Sequence, residues 1–324
     1  MDSAQSLQSA HAGHTAHAAG ALRASRTLRS LRSIKRRDNF TGYLFLLPCF
    51  AFFGVFLFYP LAKSVYLSFQ ITNPRGEVAA YAGLDNYASL FASGAAFLAT
   101  LKATVLFTLY TVPAGIVIAL VLAVMTHAKR PAMKAFQYAF SLPVVISAGT
   151  GAAIWILLFH PSAGMLNYFL GLLHLKPVFW LADPKWALVS VSMMTVWMNL
   201  GFNYIVLLGG LRGISDDIYD SLKLDGPGPF RSAFGVLIPL LSPTLFFLLI
   251  VSVIGAFQTF GQIHILTKGG PMDSTNVMVY RIYQEAFVNF RFGSGSAQAL
   301  VLFAVILALT LAQFFWLEKK VHYQ

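Results

Sequence analysis

Two groups of polar side chains recur at helical spacing inside apolar stretches of the sequence. Thr195, Asn199 and Asn203 follow one another at every fourth residue, which places them on one face of a helix. Gln258 and Gln262 repeat that spacing further along, with phenylalanines beside them. Amides pair with hydroxyl groups, and aromatic faces cover sugar rings. The combination is therefore typical of a path that accepts a carbohydrate.

The same side chains would also suit hydrogen bonds between neighbouring helices. Polar groups in apolar surroundings either bond another helix or line a water-filled path. Both interpretations are open from the residues alone. If the path is correct, the side chains predicted to line it are Asn199, Asn203, Tyr204, Gln258 and Gln262.

The elements that carry these residues are long and apolar. Of the 324 residues, 57% are hydrophobic and only 11% are charged, which indicates an integral membrane protein. Each apolar segment has about the length that a bilayer requires of a helix. The predicted fold is an all-α integral membrane protein with six transmembrane helices. The spans are predicted at about residues 43–69, 97–125, 136–159, 187–209, 237–260 and 297–316.

The first 38 residues differ from the transmembrane domain that we assign to residues 39–324. They are rich in Ala, Ser, His and Arg and contain no apolar core of a secretory signal. A cytosolic basic tail is expected; the Arg- and Ser-rich composition also resembles a mitochondrial transit peptide. His11, His14 and His17 have no acidic or cysteine partner nearby, so we predict no metal site.

The distribution of positive charge predicts the orientation. With the N-terminus inside, fifteen of the 23 lysines and arginines fall on the inside and eight on the outside. Positive residues favour the cytosol, so both termini are expected there. The basic residues lie between apolar runs and match no nucleic-acid motif, so no nucleic-acid partner is expected.

The segment between the fourth and fifth spans, residues 210–243, has the pattern of a rigid elbow. Ser215, Asp216 and Asp217 signal a helix start, and Gly226 within a Gly-Pro stretch ends the helix. By the charge count this elbow is cytosolic. Its apolar side chains are expected to be exposed and to seek a partner surface. They are Ile218, Tyr219, Leu222 and Leu224.

This segment resembles the EAA loop of permeases from ABC importers. The matching residues are Asp220, Ser221 and Leu222, then Asp225, Gly226 and Pro227, then Pro239 and Pro243. Stretches such as WMNLGFN and LTKGGPMDSTNVMVYRIYQEAF resemble the branch that takes up carbohydrates, which includes permeases for maltose, other oligosaccharides and glycerol 3-phosphate.

The resemblance implies a type I ABC importer permease fold, with the elbow as a cytosolic coupling helix docked on an ATPase subunit. The residues implied in coupling are Tyr219, Asp220, Ser221, Leu222, Asp225, Gly226 and Pro239. It also implies the partners: a second homologous permease chain, two ATPase subunits and an extracytoplasmic solute-binding protein in the bacterial inner membrane. ATP and Mg would bind to the ATPase, and no cofactor is expected on this chain.

The sequence contains no phosphate-binding loop and no HExxH, CxxC or GxSxG motif, so no catalytic residue is predicted. An ion-driven secondary transporter is the alternative, but it would need acids inside the spans.

Lys63 and Lys102 lie near the outer span ends. They either snorkel to the interface or line the path, and the second case would suit an anionic substrate such as glycerol phosphate or an acidic oligosaccharide.

Overall fold

The computed structural model of the chain describes residues 42–92, 94–127 and 131–318. Its internal contacts divide the chain into two units, Met1–Lys63 and Ser64–Gln324. The predictions for residues 1–38, including their histidines, lie outside the described part. So do four of the lysines and arginines counted above on the inside, Lys129, Arg130, Lys319 and Lys320.

The first long helix, α1, spans Gly42–Ser68 and begins in the first unit. Its apolar side chains are exposed on all sides, as expected for a helix that faces lipid. A π turn at Gly54–Phe58 lies two residues before Pro60, and the N–H of Tyr59 bonds the carbonyl of Gly54. Because proline has no N–H to donate, this wider turn lets the helix continue past Pro60.

The second unit continues with a short antiparallel hairpin, β1 (Gln70–Thr72) and β2 (Val78–Tyr81), followed by α2 (Asp85–Ala92). The remaining helices are α3 (Gly94–Thr126), α4 (Pro131–Ser141), α5 (Ala148–Leu158), α6 (Met165–Leu172), α7 (Pro184–Gly213), α8 (Asp216–Asp225), α9 (Phe230–Leu240), α10 (Ser242–Phe257), α11 (Gly261–Leu266), α12 (Met278–Tyr283) and α13 (Phe292–Leu317).

Five helical segments of the described part are long and apolar enough to cross a membrane, and a sixth results if one bent pair is counted. That pair is α4 with α5, which was predicted as one span over residues 136–159. The two helices meet at an angle of 106°. Pro143 lies in the 3-10 turn Leu142–Val145, and Ser147 caps α5 by accepting a hydrogen bond from the N–H of Thr150 at 3.2 Å.

The fifth span also differs from its predicted bounds of residues 237–260. The apolar segment runs over Ser242–Leu266, and residues before it form the separate helix α9. α9 contains a π turn at Ala233–Leu237, two residues before Pro239, as α1 does before Pro60. The N–H of Ile238 bonds the carbonyl of Ala233, five residues back, so the helix widens just before the proline, which has no N–H to donate.

α3 and α7 pack side by side and form the centre of the second unit. They run in the same direction, since Lys102 and Lys185 line one cleft near their starts and Thr126 bonds Tyr204 toward their ends. We call the end where both helices begin the hairpin end, because α2 packs there against α3. The end where both finish is the elbow end.

Three clusters of apolar side chains form the core of the second unit. One surrounds the middle of α3 and α7 and includes Phe107, Val191 and Met194. A second, which we call the elbow-end cluster, joins α3 and α7 to α9 and α10. Its largest fully buried members are Tyr204, Leu207, Leu211, Leu241 and Leu248.

Buried hydroxyl groups inside α3 are satisfied by their own helix. Thr104 donates to the carbonyl of Thr100 at 2.8 Å, and Thr108 donates to that of Thr104 at 2.9 Å. Such back-bonding lets a polar side chain lie among apolar neighbours at low cost. Thr104 also accepts a hydrogen bond from the backbone N–H of Met278 at 3.0 Å, which ties the start of α12 to α3.

Candidate functional site

The elbow helix α8 has ends that are fixed by local chemistry. The hydroxyl of Ser215 accepts a hydrogen bond from the N–H of Asp217 at 3.3 Å. Asp216 and Asp217 lie in the first turn, where the helix dipole favours negative charge. Gly226 adopts φ +63°, and its N–H bonds the carbonyl of Leu222 at 3.2 Å. Glycine adopts this left-handed conformation without strain, so the predicted start and stop of the helix are confirmed.

Tyr219 anchors α8 to the ends of two spanning helices. Its hydroxyl donates to the carbonyl of Leu211, in α7, at 2.7 Å. Its ring stacks on His127, just after α3, with centroids 5.4 Å apart. Burial raises the pKa of the Tyr219 hydroxyl, and the negative charge of Asp216 raises it further. The hydroxyl therefore remains a hydrogen-bond donor at neutral pH.

The apolar side chains of α8 are divided between its two faces. Ile218, Tyr219 and Leu222 are half-buried against the elbow-end cluster, whereas Leu224 is 89% exposed. The expectation that all four are exposed is thus wrong for three of them. Residues 218, 219 and 222 lie on the helix face toward the bundle, and residue 224 lies on the other side.

The outward side of α8 combines one apolar side chain with charged ones. Asp220 and Lys223 form an exposed ion pair at 2.8 Å, one helical turn apart. Leu224 and Asp225 are also exposed. We call these four residues the elbow surface. Ser221 is exposed too, but its hydroxyl donates to a carbonyl of its own helix.

Pro239, the remaining coupling candidate, lies on α9 rather than on α8. Its neighbours Leu237 and Leu241 are buried in the elbow-end cluster. The same cluster receives Ile218, Tyr219 and Leu222 from α8. The structure therefore brings α8 and the start of the fifth span onto one apolar surface.

The three polar residues predicted on one face of α7 have different surroundings. Thr195 is buried and donates to the carbonyl of Val191 at 2.8 Å. Asn199 is exposed. Asn203 is only 3% exposed and lies against α3, where a Cβ added to Gly115 would come within 3.3 Å of its amide nitrogen. Asn199 is thus the member of this group that is open to solvent.

Tyr204 is fully buried. Its hydroxyl lies 2.6 Å from that of Thr126, and its ring meets Phe140 edge-on at 5.7 Å. In this conformation Tyr204 joins α3, α4 and α7 and does not face an open path. It was predicted as a path residue because an aromatic ring beside amides can cover a sugar ring; its ring packs inside the bundle instead.

The two glutamines lie on either side of the junction between α10 and α11. Gln258 is exposed at the end of α10. Gln262 is half-buried, and its amide nitrogen lies 3.9 Å from the sulfur of Met198 in α7. Gln262 thus meets α7 at the residue before Asn199. Asn199, Gln258 and Gln262 therefore remain the accessible candidates.

Gly201 is a close-packing position that the spacing of polar residues did not reveal. A Cβ at Gly201 would lie 2.7 Å from the backbone nitrogen of Val144 and 2.8 Å from the carbonyl of Ser141. The backbone of α7 thus packs directly on the turn between α4 and α5. The only sequence signal was the glycine within WMNLGFN, between the two asparagines.

An open cleft of about 300 Å³ lies between α3 and α7 at the hairpin end. Lys102, Leu106 and Tyr110 line it from α3, one helical turn apart. Lys185 lines it from the first turn of α7, and Asp273 lines it from the loop after α11. Lys102 therefore faces a cleft within the protein.

Comparisons with known proteins agree with this arrangement. Residues 95–323 match the family described as "Binding-protein-dependent transport system inner membrane component". A curated relative is the sn-glycerol-3-phosphate transport system permease protein UgpA of Yersinia enterocolitica. It is 33% identical over 87% of this chain and 95% of its own length.

Two solved structures share the fold. One is a chain of a bacterial ABC transporter involved in the import of the acidic polysaccharide alginate, with TM-score 0.77 and 24% identity over 90% of this chain and 99% of that chain. The other comes from a bacterial alginate ABC transporter in complex with a periplasmic protein bound to alginate pentasaccharide, with TM-score 0.74 and 23% identity over 86% and 93% of the two chains.

The family match covers more than half of the chain, and the curated relative aligns along nearly its whole length. The apolar helices, the elbow and the polar groups between α3, α7 and α11 are consistent with a transport role. The chain belongs to the family of inner membrane components of binding-protein-dependent transport systems.

Proposed function

We propose that this chain is the non-catalytic permease subunit of an ATP-driven importer that brings a sugar or oligosaccharide into the cytosol by alternating access. It pairs with a second, homologous permease chain, receives substrate from an extracytoplasmic binding protein, and is moved by two cytosolic ATPase subunits. ATP and Mg are bound by those ATPase subunits.

The observation that carries this proposal is the construction of the elbow. α8 is tied to α7 through Tyr219 and Leu211 and to the end of α3 through His127. Its opposite side presents Leu224, 89% exposed, among charged residues. An apolar anchor with a polar rim is typical of a surface that binds another protein. A partner bound there would pull directly on the helices that line the candidate path.

The orientation follows from charge. In the predicted topology, fifteen of the 23 lysines and arginines of the sequence, among them Arg212, Lys223 and Arg231, belong to the elbow side and eight to the other. Positive residues favour the cytosolic side, so we place the elbow in the cytosol with the ATPase. The hairpin end then faces the binding protein, and both termini are cytosolic.

The substrate class is proposed from the exposed amides and from the relatives. Asn199, Gln258 and Gln262 offer donors and acceptors suited to hydroxyl groups. The curated relative carries sn-glycerol-3-phosphate in its name, and the structural neighbours belong to transporters of alginate, an acidic polysaccharide. We propose a sugar or oligosaccharide, neutral or acidic, with glycerol 3-phosphate as the alternative.

The test places a charge on the elbow surface. Leu224→Asp leaves the packing of α8 unchanged, because the side chain is exposed, but buries a carboxylate in the proposed interface. Leu84→Asp is the matched control for assembly with the ATPase, since Leu84 is 67% exposed, next to α2 and at the end opposite the elbow. The measurements are co-purification of the ATPase and ATP hydrolysis stimulated by the binding protein, loaded in turn with a neutral oligosaccharide, an acidic oligosaccharide and glycerol 3-phosphate.

We expect Leu224→Asp to abolish both co-purification and stimulated hydrolysis, and Leu84→Asp to retain co-purification of the ATPase. The cargo that stimulates the parent complex identifies the substrate class. If the parent chain assembles with no ATPase, or if Leu224→Asp behaves as Leu84→Asp does, the proposed coupling is wrong.

A further inference from the structure

We propose that Lys102 and Lys185 form an anion site at the hairpin end, which receives a carboxylate or phosphate group of the substrate. The inference rests on the proposed function and deepens it, because it makes the substrate an acidic saccharide or a polyol phosphate. The two lysines come from different helices, α3 and α7, and line the same cleft.

The position of Lys102 requires an explanation in a membrane protein. It lies inside the apolar span Ala96–Thr126, two helical turns from its start. A charged side chain at such a depth faces a polar cavity or reaches to the interface. Lys102 lines a cleft together with Lys185 and Asp273, which favours the cavity.

The cleft is positively charged and offers unused polar groups. Among the residues that the structure describes, Asp273 is the only acidic one that lines it, against two lysines. Within the part of the chain that the structure describes, neither lysine has an ion-pair partner. Lysine ammonium groups attract an anion.

The cleft extends along the helix that packs beside the candidate path. Lys102, Leu106 and Tyr110 follow one face of α3, over about 12 Å of the helix axis. The other wall belongs to α7, the helix that carries the exposed Asn199. An anionic substrate that enters between α3 and α7 from the hairpin end would therefore meet the lysines first.

The same lysines would also attract an anionic lipid headgroup or an acidic side chain of the binding protein. We favour the substrate because the cleft is concave and lies between α3 and α7, and because Lys102 lies inside an apolar span. The experiment separates the three ligands.

The experiment measures how fast an amine-acetylating reagent modifies Lys102 and Lys185 in the assembled transporter, by mass spectrometry. The complex is held in phosphatidylcholine nanodiscs without binding protein. The probes are sn-glycerol 3-phosphate, trigalacturonate and inorganic phosphate, with glycerol and maltotriose as neutral counterparts. Lys176 is the control amine, because it is exposed at the hairpin end but does not line the cleft.

We expect the organic anions to slow acetylation of Lys102 and Lys185 but not of Lys176, and the neutral compounds to have no effect. Lys102→Gln should weaken the protection of Lys185. The apparent affinity for the anion should fall roughly fivefold, because that is what the loss of one exposed ion pair costs at most. Lys176→Gln should leave that protection unchanged.

Acetylation that is insensitive to every anion would overturn the proposal. Protection in phosphatidylglycerol nanodiscs alone would show that the lysines bind a lipid headgroup. Protection by unloaded binding protein alone would show that they bind an acidic side chain of that protein. Either result overturns a substrate site. Protection by inorganic phosphate with none by the organic anions would also contradict it. Assembly with the ATPase is measured on the same samples, so failure of the importer itself would be visible separately.

Discussion

Replacing Tyr219 with phenylalanine tests whether the elbow is held rigidly to the spanning helices. The substitution removes the hydroxyl that donates to the carbonyl of Leu211 at 2.7 Å. It keeps the ring that stacks on His127. The change therefore removes one bond of the anchor and leaves the apolar packing of α8 in place.

The expected cost follows from the surroundings of that bond. Leu211 is fully buried, and its carbonyl receives one other hydrogen bond, a long one from the N–H of Ile214 at 3.4 Å. The carbonyl would thus be only partly satisfied after the substitution. A hydrogen bond of this kind contributes about 1 kcal/mol net. Local opening of α8 should therefore become roughly fivefold more frequent.

Hydrogen exchange of the backbone amides of residues 216–225 is the assay. We expect exchange in Tyr219→Phe to rise roughly fivefold in α8, with little change in α3 and α7. ATP hydrolysis stimulated by the binding protein should fall, because a loosened elbow transmits less movement. Tyr81→Phe is the control, since Tyr81 is 76% exposed on β2. Unchanged exchange in α8, or an equal rise in the control, would refute the anchoring role.

Three further predictions concern the elbow and the hairpin. Gly226→Ala should destabilise the end of α8 by about 1 kcal/mol, because φ is +63° there, although no atom would touch the new Cβ. Gly228→Ala is the control, because its Cβ also meets no neighbour and its φ is ordinary. It should leave the hydrogen exchange of α8 unchanged. Gly293→Ala should push β1 away from α13, because a Cβ there would overlap the carbonyl of Gln70. Hydrogen exchange of the backbone amides of residues 70–81 should therefore rise. Gly209→Ala, whose Cβ would meet no atom, should leave that exchange unchanged. The raised pKa of Tyr219 means that the folded elbow holds this proton more tightly than the unfolded chain does. The resulting stability is complete below the ordinary tyrosine pKa of about 10 and is lost as the pH rises through the raised value. The late component of a spectroscopic titration of tyrosinate, to which Tyr280 with its raised pKa also contributes, should therefore shrink in Tyr219→Phe.

The ends of the elbow helix were predictable from the sequence because local residues set them. Ser215 supplies the cap and Gly226 the left-handed turn, and neither needs a distant partner. The break between α4 and α5 was not predictable in this way. Pro113 lies inside α3 without interrupting it, whereas Pro143 lies next to a 106° bend. The difference is tertiary, because the backbone of Gly201 in α7 packs against the turn that contains Pro143.

The candidate path was predictable only in part. Helical spacing placed Thr195, Asn199 and Asn203 near one another but could not show which neighbour each one meets. Thr195 bonds its own helix, Asn203 lies against α3, and Asn199 is open. The pairing of Lys102 with Lys185 joins residues far apart in the chain, and no local pattern relates them.

The contacts of α8 determine which helices a partner at the elbow would move. Tyr219 reaches both the last turns of α7 and His127 after α3, and Tyr204 bonds Thr126 to join the same two helices nearby. α3 and α7 are therefore coupled to each other and to the elbow at one end, while the lysine cleft lies between them at the other. Because packed helices move as rigid bodies rather than bending continuously, a displacement of α8 would be carried along this pair to the cleft. The exchange and hydrolysis measurements on Tyr219→Phe thus test the first contact of that mechanical connection.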